Sequence, residues 1–533
     1  MRLLDNIVIA PIVLPLIAGA AMLLIGESKR RLKATIGLGS ILAITGIAGF
    51  LLYLVDTSPL PLVYRLGDWP TPFAIVLVAD RLSAVMVLLT AVLALTTFLF
   101  SLARWHKAGS HFHSLFQFLL MGLNGAFLTG DLFNLFVFFE LLLAASYGLV
   151  LHGSGIQRVR AGLHYIAINL AASLLFLIGV SLVYSVTGTL NMADLAVRVP
   201  QLTADNRPLL EAGAAVLGIA FLVKAGIWPL CFWLPNTYAA AAAPIAAMFA
   251  IMSKVGIYVI LRLWLLLFGG DSGASAYFGY EWLLIGGIAT ISFGVIGALA
   301  SQDMARLASF MVLISSGTVL TAIAISDAHV TGPALFYLVS STVAIAAFFM
   351  LIELLERGRD PFEDMLAITR EAYGEEEDEE EEEIGVAIPA TLAILGICLI
   401  GCALVLAGLP PLSGFVAKFA ILTAVINAPP AGSISPLGWI LLALLLVSGL
   451  MTLIAMTRAG IRMLWTQHER IVPRVRIIEI APIALLLLIS VTLTVRAETA
   501  MRYMKATAEE IHTPVGYVHS VLTPAPPKAG AHQ

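Results

Sequence analysis

Four ionisable residues interrupt long apolar runs of this chain: Glu140, Lys224, Lys254 and Lys418. A charge at the centre of a bilayer costs at least about 2.5–3.5 kcal/mol, so such groups usually face a protein interior or a water-filled path. Burial and a neighbouring carboxylate act in opposite senses on a lysine's charge. Glu140 can therefore set the charge state of Lys224, and a released proton can move on towards Lys254 and Lys418. One carboxylate and three lysines on separate spans read as parts of a proton or cation pathway. The competing readings are a structural ion pair for Glu140 and Lys224, a structural role for Lys254, and snorkelling to water for Lys418. Imidazoles titrate near neutrality. His164 starts a predicted span beside Arg158 and Arg160 and reads as a proton-uptake group; His329, before a later span, reads as a gate on the opposite side or as a loop polar group.

The elements that must hold these residues follow from composition. The chain has 533 residues, 60% hydrophobic and 12% charged, with a mean hydropathy of +0.96. A spanning helix needs about 20 apolar residues. Fourteen runs qualify: 7–26, 34–55, 78–103, 115–130, 132–151, 161–185, 209–228, 244–268, 282–300, 306–326, 332–355, 386–408, 437–457 and 477–495. Segment 412–427 reads as the second half of the twelfth span. The runs are continuous rather than alternating, which selects helices over a barrel. The expected fold is an all-α polytopic membrane protein of about fourteen transmembrane helices, the first retained rather than cleaved. Cys231, Cys398 and Cys402 read as buried small hydrophobes. No Walker loop or GxGxxG is present, so no cofactor site and no enzyme chemistry are expected.

Two spans are broken. Span seven ends in Lys224-Ala-Gly-Ile-Trp-Pro229-Leu-Cys-Phe-Trp-Leu-Pro235, and span twelve is interrupted at Gly408-Leu-Pro410-Pro411-Leu-Ser-Gly414, just before Lys418. Interrupted helices at corresponding places in two halves point to a transport site. A weak internal match aligns Asp131–Glu140 with Asp303–Val312, each starting a span with Asp, a helix-capping residue. These features divide the chain into N-terminal spans (1–110), a first repeat (111–270), a second repeat (271–460) inverted relative to the first, and a last span with a polar tail (461–533). Lys and Arg concentrate in the odd-numbered loops, at Lys29–Lys33, Arg104 and Lys107, Arg158 and Arg160, and Arg458–Arg476. That predicts cytoplasmic odd loops and both termini outside. Nine consecutive acids, Glu375–Glu383, fall within an acidic loop at 371–385. Such a run repels itself and stays solvated, unless it meets a basic partner surface.

Four segments together carry a family resemblance: Phe138-Phe-Glu140-Leu-Leu-Leu, Val223-Lys224-Ala-Gly-Ile-Trp-Pro229, Ser253-Lys254-Val-Gly-Ile-Tyr258, and Pro410-Pro411-Leu-Ser-Gly-Phe-Val-Ala-Lys418-Phe. Their order and spacing resemble the antiporter-like superfamily, which holds the proton-channel subunits of complex I and of Mrp-type antiporters. The run from Glu140 to Gly153 resembles the D subunit of the Mrp (Pha) branch more than the complex I channels. Two departures point the same way. Ser341-Thr-Val-Ala-Ile345 lacks the His-Ala-x-x-Lys often present in complex I channels, and Cys231 stands where a histidine is often found. The resemblance implies one subunit of a sodium or other monovalent cation/proton antiporter in a bacterial plasma membrane. Its partners would be further Mrp-type subunits, protons, the cation and lipid, with no nucleic acid. A proton-pumping subunit of a complex I-like oxidoreductase or membrane hydrogenase, and a scaffold with relict charges, are the alternatives.

Overall fold

Apolar runs of this length satisfy their backbone groups in a bilayer by closing them into helices, and the chain folds that way. The computed structural model describes residues 6–357, 390–427, 436–464 and 475–523, with only the backbone of Leu437. The acidic run Glu375–Glu383 and the loop arginines Arg470 and Arg474 lie outside the described residues. The first half comprises α1 (Ala10–Leu24), α2 (Arg30–Thr57), α3 (Arg81–Ala103), α4 (Phe112–Leu128), α5 (Leu132–Val150), α6 (Ile156–Thr187), α7 (Met192–Arg198), α8 (Arg207–Ala225), α9 (Trp233–Ala240) and α10 (Ala243–Phe268). The second comprises α11 (Tyr280–Ala300), α12 (Met304–Ala324), α13 (Ala328–Glu356), α14 (Ala390–Ala407), α15 (Ser413–Asn427), α16 (Pro436–Leu464), α17 (Ile477–Val495), α18 (Ala497–His512) and α19 (Val515–Leu522).

Among the described residues, thirteen helices are long and apolar enough to cross a membrane. The 17-residue α4 supplies the fourteenth expected span. Spans seven and twelve are each broken in two, as α8 with α9 and α14 with α15. A helix that is apolar on every side belongs in the interior. That helix is α10, buried along its whole length, with α12 and α13 nearly as enclosed. The core therefore sits where Lys254 is.

Three details depart from expectation. Residues 62–79 form an antiparallel hairpin, β1 (Leu62–Arg65) with β2 (Val76–Ala79), pairing Leu62 with Ala79 and Arg65 with Val76. Span three accordingly begins at Arg81 rather than 78, because Asp80 caps it. The Asp80 carboxylate accepts from the Ser83 N–H at 2.9 Å, and the Ser83 hydroxyl accepts from the Asp80 N–H at 2.9 Å, a reciprocal capping box. The tail after the last span is helical and amphipathic. α18 and α19 bury Met504, Ala508, Ile511, Tyr517 and Val521. Arg65 ties the tail to the hairpin by donating to the carbonyls of Ser520, Val521 and Thr523 at 3.2, 3.1 and 2.6 Å.

Candidate proton-relay site

Helix α5 starts where expected: Asp131 accepts from the Asn134 N–H at 2.8 Å. Asp303 likewise accepts from the Ala305 N–H at 2.8 Å and starts α12. Glu140, midway along α5, is half-buried. One of its carboxylate oxygens is buried without a hydrogen-bond partner. Lys224 lies in the last turn of α8, buried, its Nζ donating to Ser173 Oγ of α6 at 3.4 Å and standing 4.9 Å from the centroid of the Phe139 ring. Phe139 adjoins Glu140 on α5. The carboxylate is within Coulombic reach of the ammonium, and no ion pair closes the gap. Glu140 and Lys224 are thus not bonded to one another in this structure.

Both breaks are built alike. α8 stops at Gly226, whose φ of +69° is in the left-handed region that glycine adopts without steric cost. The N–H groups of Gly226 and Ile227 close onto the carbonyls of Val223 and Leu222 at 3.1 and 3.0 Å. α14 stops at Gly408, φ +79°, with Gly408 and Leu409 both donating to the Leu404 carbonyl at 3.1 and 2.9 Å. These are glycine C-caps. At the second break Lys418 reaches back from α15, its Nζ donating to the Ala407 and Leu406 carbonyls at 3.0 and 3.4 Å. An ammonium is favoured at a helix C-terminus. Lys418 is buried there rather than snorkelling outwards.

Lys254 is fully enclosed on α10. Its Nζ donates to Ser316 Oγ of α12 at 2.9 Å and towards the Val312 carbonyl at 3.5 Å. Val312 is the residue that the internal match sets opposite Glu140. Gly256, half a turn on, lets α10 lie against α8: a Cβ there would stand 2.7 Å from the Ala225 nitrogen and 2.9 Å from the Phe221 carbonyl. That contact brings the Lys224 and Lys254 helices together.

Sequence reasoning missed the groups between Lys254 and Lys418. Ser315 of α12 bonds Ser341 of α13 at 2.8 Å, and Ser340 of α13 bonds Ser413 of α15 at 2.7 Å. All four are buried. The segment starting at Ser341 reads as a gap in the relay because it lacks ionisable groups, yet hydroxyls both donate and accept. The signal was there: serines at 315, 316, 340 and 341 sit inside apolar spans, where side-chain hydroxyls bond across helices.

The two histidines are not drawn in. His164 is exposed on α6, and His329 is exposed in the first turn of α13, its N–H donating to Asp327 Oδ1 at 2.8 Å. Neither imidazole bonds to the four charged groups. A more enclosed polar cluster lies at the N-terminal end of α10, where a cavity of about 530 Å³ is lined by Trp105, Arg158, Tyr238, Ala246 and Glu353. Trp105 donates to Glu353 at 2.5 Å, and Arg357 bridges Glu353 and Glu479 at 2.5 and 2.7 Å. The Tyr238 hydroxyl is buried there. His152, in the loop after α5, donates from Nε2 to the Trp105 carbonyl at 2.8 Å, and burial holds its imidazole below the ordinary value. The three cysteines are free and buried. Among the described residues no cluster of His, Cys, Asp and Glu is placed to hold a metal.

The chain has relatives among known membrane proteins. The transmembrane family of NADH:quinone oxidoreductase and Mrp antiporter proteins matches residues 129–451. The chain belongs to that family. It is 57% identical to the D subunit of a probable K(+)/H(+) antiporter of Rhizobium meliloti (strain 1021), over 99% of both chains. It is 34% identical to the D subunit of the Na(+)/H(+) antiporter of Alkalihalophilus pseudofirmus, over 97% of this chain and all of the other. Its fold is similar to a chain in the structure of the Mrp complex from Dietzia sp. DQ12-45-1b, with a TM-score of 0.83 and 25% identity over 98% of this chain and all of that one.

Proposed function

We propose that this chain is a D-type subunit of a multisubunit monovalent cation/proton antiporter and that it carries the proton limb of the exchange. The observation that carries the reading is the burial of Lys224, Lys254 and Lys418 inside the bundle, with Glu140 half-buried on α5 and buried serine hydroxyls bonding α12 to α13 and α13 to α15. In the open arrangement Glu140 leaves Lys224 on Ser173 and Phe139. Closure of the pair holds Lys224 charged; opening lets it pass a proton towards Lys254. From there the Ser316, Ser315–Ser341 and Ser340–Ser413 hydroxyls lead to Lys418. Water completes the hops that the hydroxyls do not bridge.

The D-type relatives at 57% and 34% identity are named for K(+)/H(+) and Na(+)/H(+) exchange. The more similar name makes potassium the first cation to test. Lysines do not coordinate such an ion, so the cation limb belongs to partner subunits or to the interface with them. The paired Asp caps and paired helix breaks support two inverted five-helix units, spans four to eight and nine to thirteen. The basic odd-numbered loops support their cytoplasmic placement with both termini outside. In that orientation His164 takes up protons on the cytoplasmic side and His329 gates the other.

The test is potassium- and sodium-dependent dissipation of ΔpH in everted vesicles carrying the whole complex. With Glu140→Ala or Lys224→Ala, exchange is lost while the complex assembles at normal levels. Undiminished exchange in assembled Lys224→Ala complex would sink the relay. Proton movement that requires NADH or hydrogen instead of a cation would place the chain in a redox complex.

A further inference from the structure

Helix α10 carries a second buried charge that the relay does not use. Arg262 lies eight residues beyond Lys254, about 12 Å along the helix at 1.5 Å per residue. Its guanidinium pairs with both carboxylate oxygens of Asp80, one nitrogen on each, the NH2–Oδ1 contact at 2.8 Å. Both residues are buried. The same guanidinium donates to the Tyr258 hydroxyl at 3.2 Å, and that hydroxyl donates to the Phe127 carbonyl at 2.6 Å. The rings of Tyr258 and Tyr517 stand 5.5 and 5.1 Å from it. Each end of α10 meets a cavity. Ala243 and Ala246 line the one of about 530 Å³, and Leu265, Leu266 and Gly269 line another of about 540 Å³ beneath the C-terminal helices. Lys254 and then Arg262 lie between them.

We propose that Arg262, fixed by Asp80, is the proton block of the Lys254 pathway, closing it towards the second cavity so that a proton at Lys254 moves only along the relay. The proposal rests on Lys254 being a relay group. An arginine remains charged at all working pH values, and its five N–H groups are donors with no acceptor. It can neither take up a proton nor continue a hydrogen-bond chain, and an arginine set into a pore excludes protons and cations. The groups bonded to it are committed as well. Both Asp80 oxygens are taken by the guanidinium, one also by the Ser83 N–H, and the Tyr258 hydroxyl is committed to a carbonyl.

The test uses the whole complex in everted vesicles and reads proton leak without added cation. The paired neutral variant R262Q/D80N keeps polar side chains, removes both charges together and leaves an N-cap residue on α3. The expected result is normal assembly with leak raised about tenfold, the change that lowering a barrier by one decade in rate produces, and loss of coupled exchange. R262K, held in its charged form by the Asp80 carboxylate, keeps the leak low. Assembled R262Q/D80N complex with native leak overturns the proposal. So does failure of R262Q/D80N to assemble while R262K assembles, which marks the pair as purely structural. Adding Lys254→Ala to R262Q/D80N separates the two readings. A leak that then vanishes ran through Lys254; a leak that persists leaves the block standing and overturns Lys254 as the relay group behind it.

Discussion

The Lys418 ammonium sits 3.0 Å from the Ala407 carbonyl, so the lysine after the break in span twelve closes the end of the half-helix before it. Lys224 stands at the matching break in span seven but belongs to the half-helix that ends there. The same residue type therefore serves two geometries, one bound to backbone carbonyls and one poised near a carboxylate.

Replacing Lys418 by Met leaves the Ala407 and Leu406 carbonyls without their donor. An unmet buried acceptor costs about 1–3 kcal/mol. The expected outcome is a lower melting temperature of the purified complex together with lost exchange, with Lys418→Arg recovering the stability more than the exchange. Unchanged melting of Lys418→Met would show that the carbonyls are satisfied in another way.

The Ser340–Ser413 pair separates stability from conduction. Ser413→Ala alone strands the partner hydroxyl, whereas removing both hydroxyls is close to neutral for folding. The double alanine variant is expected to melt above the single one, yet to exchange more slowly than the native complex. Native exchange rates in the double variant would remove these serines from the proton path.

Gly256→Ala sets a methyl against the backbone of α8. Overpacking of this kind costs about 1–3 kcal/mol. The variant is expected to assemble poorly or to melt early, and any assembled fraction to exchange slowly because the Lys224 and Lys254 helices are pushed apart. Wild-type melting would show that α10 can shift without penalty.

His512, at the end of α18 outside the spans, bonds the Thr331 hydroxyl at 3.0 Å. Burial holds its imidazole below the ordinary value, with Asp327 drawing it partly back up. A folded-state value below the unfolded one contributes stability above the unfolded pKa and loses it as pH falls through the folded one. Docking of α18 on α13 is thus expected to be firm at neutral pH and to loosen as pH falls below about 6.5. Hydrogen exchange of residues 497–523 should rise on acidification, and His512→Phe should flatten that dependence.

Much of this protein is written into the chain locally. Hydrocarbon accepts a backbone only as closed helices, so the fourteen apolar runs fixed fourteen spans, and Gly226 and Gly408 fixed where two of them break. The cost of a charge in lipid singled out Glu140, Lys224, Lys254 and Lys418 before any contact was known. What tertiary structure alone decided is which groups those charges meet. The Asp80–Arg262 pair is one that no local pattern announces, because its members lie 182 residues apart. The pairing of Ser341 is not legible in the sequence because a single hydroxyl carries no periodic or charge signal until a second helix sets Ser315 beside it. That Lys224 meets Ser173 and Phe139 rather than the Glu140 carboxylate follows from how α5, α6 and α8 pack, and packing is a property of side-chain shapes brought together from distant segments rather than of any one of them.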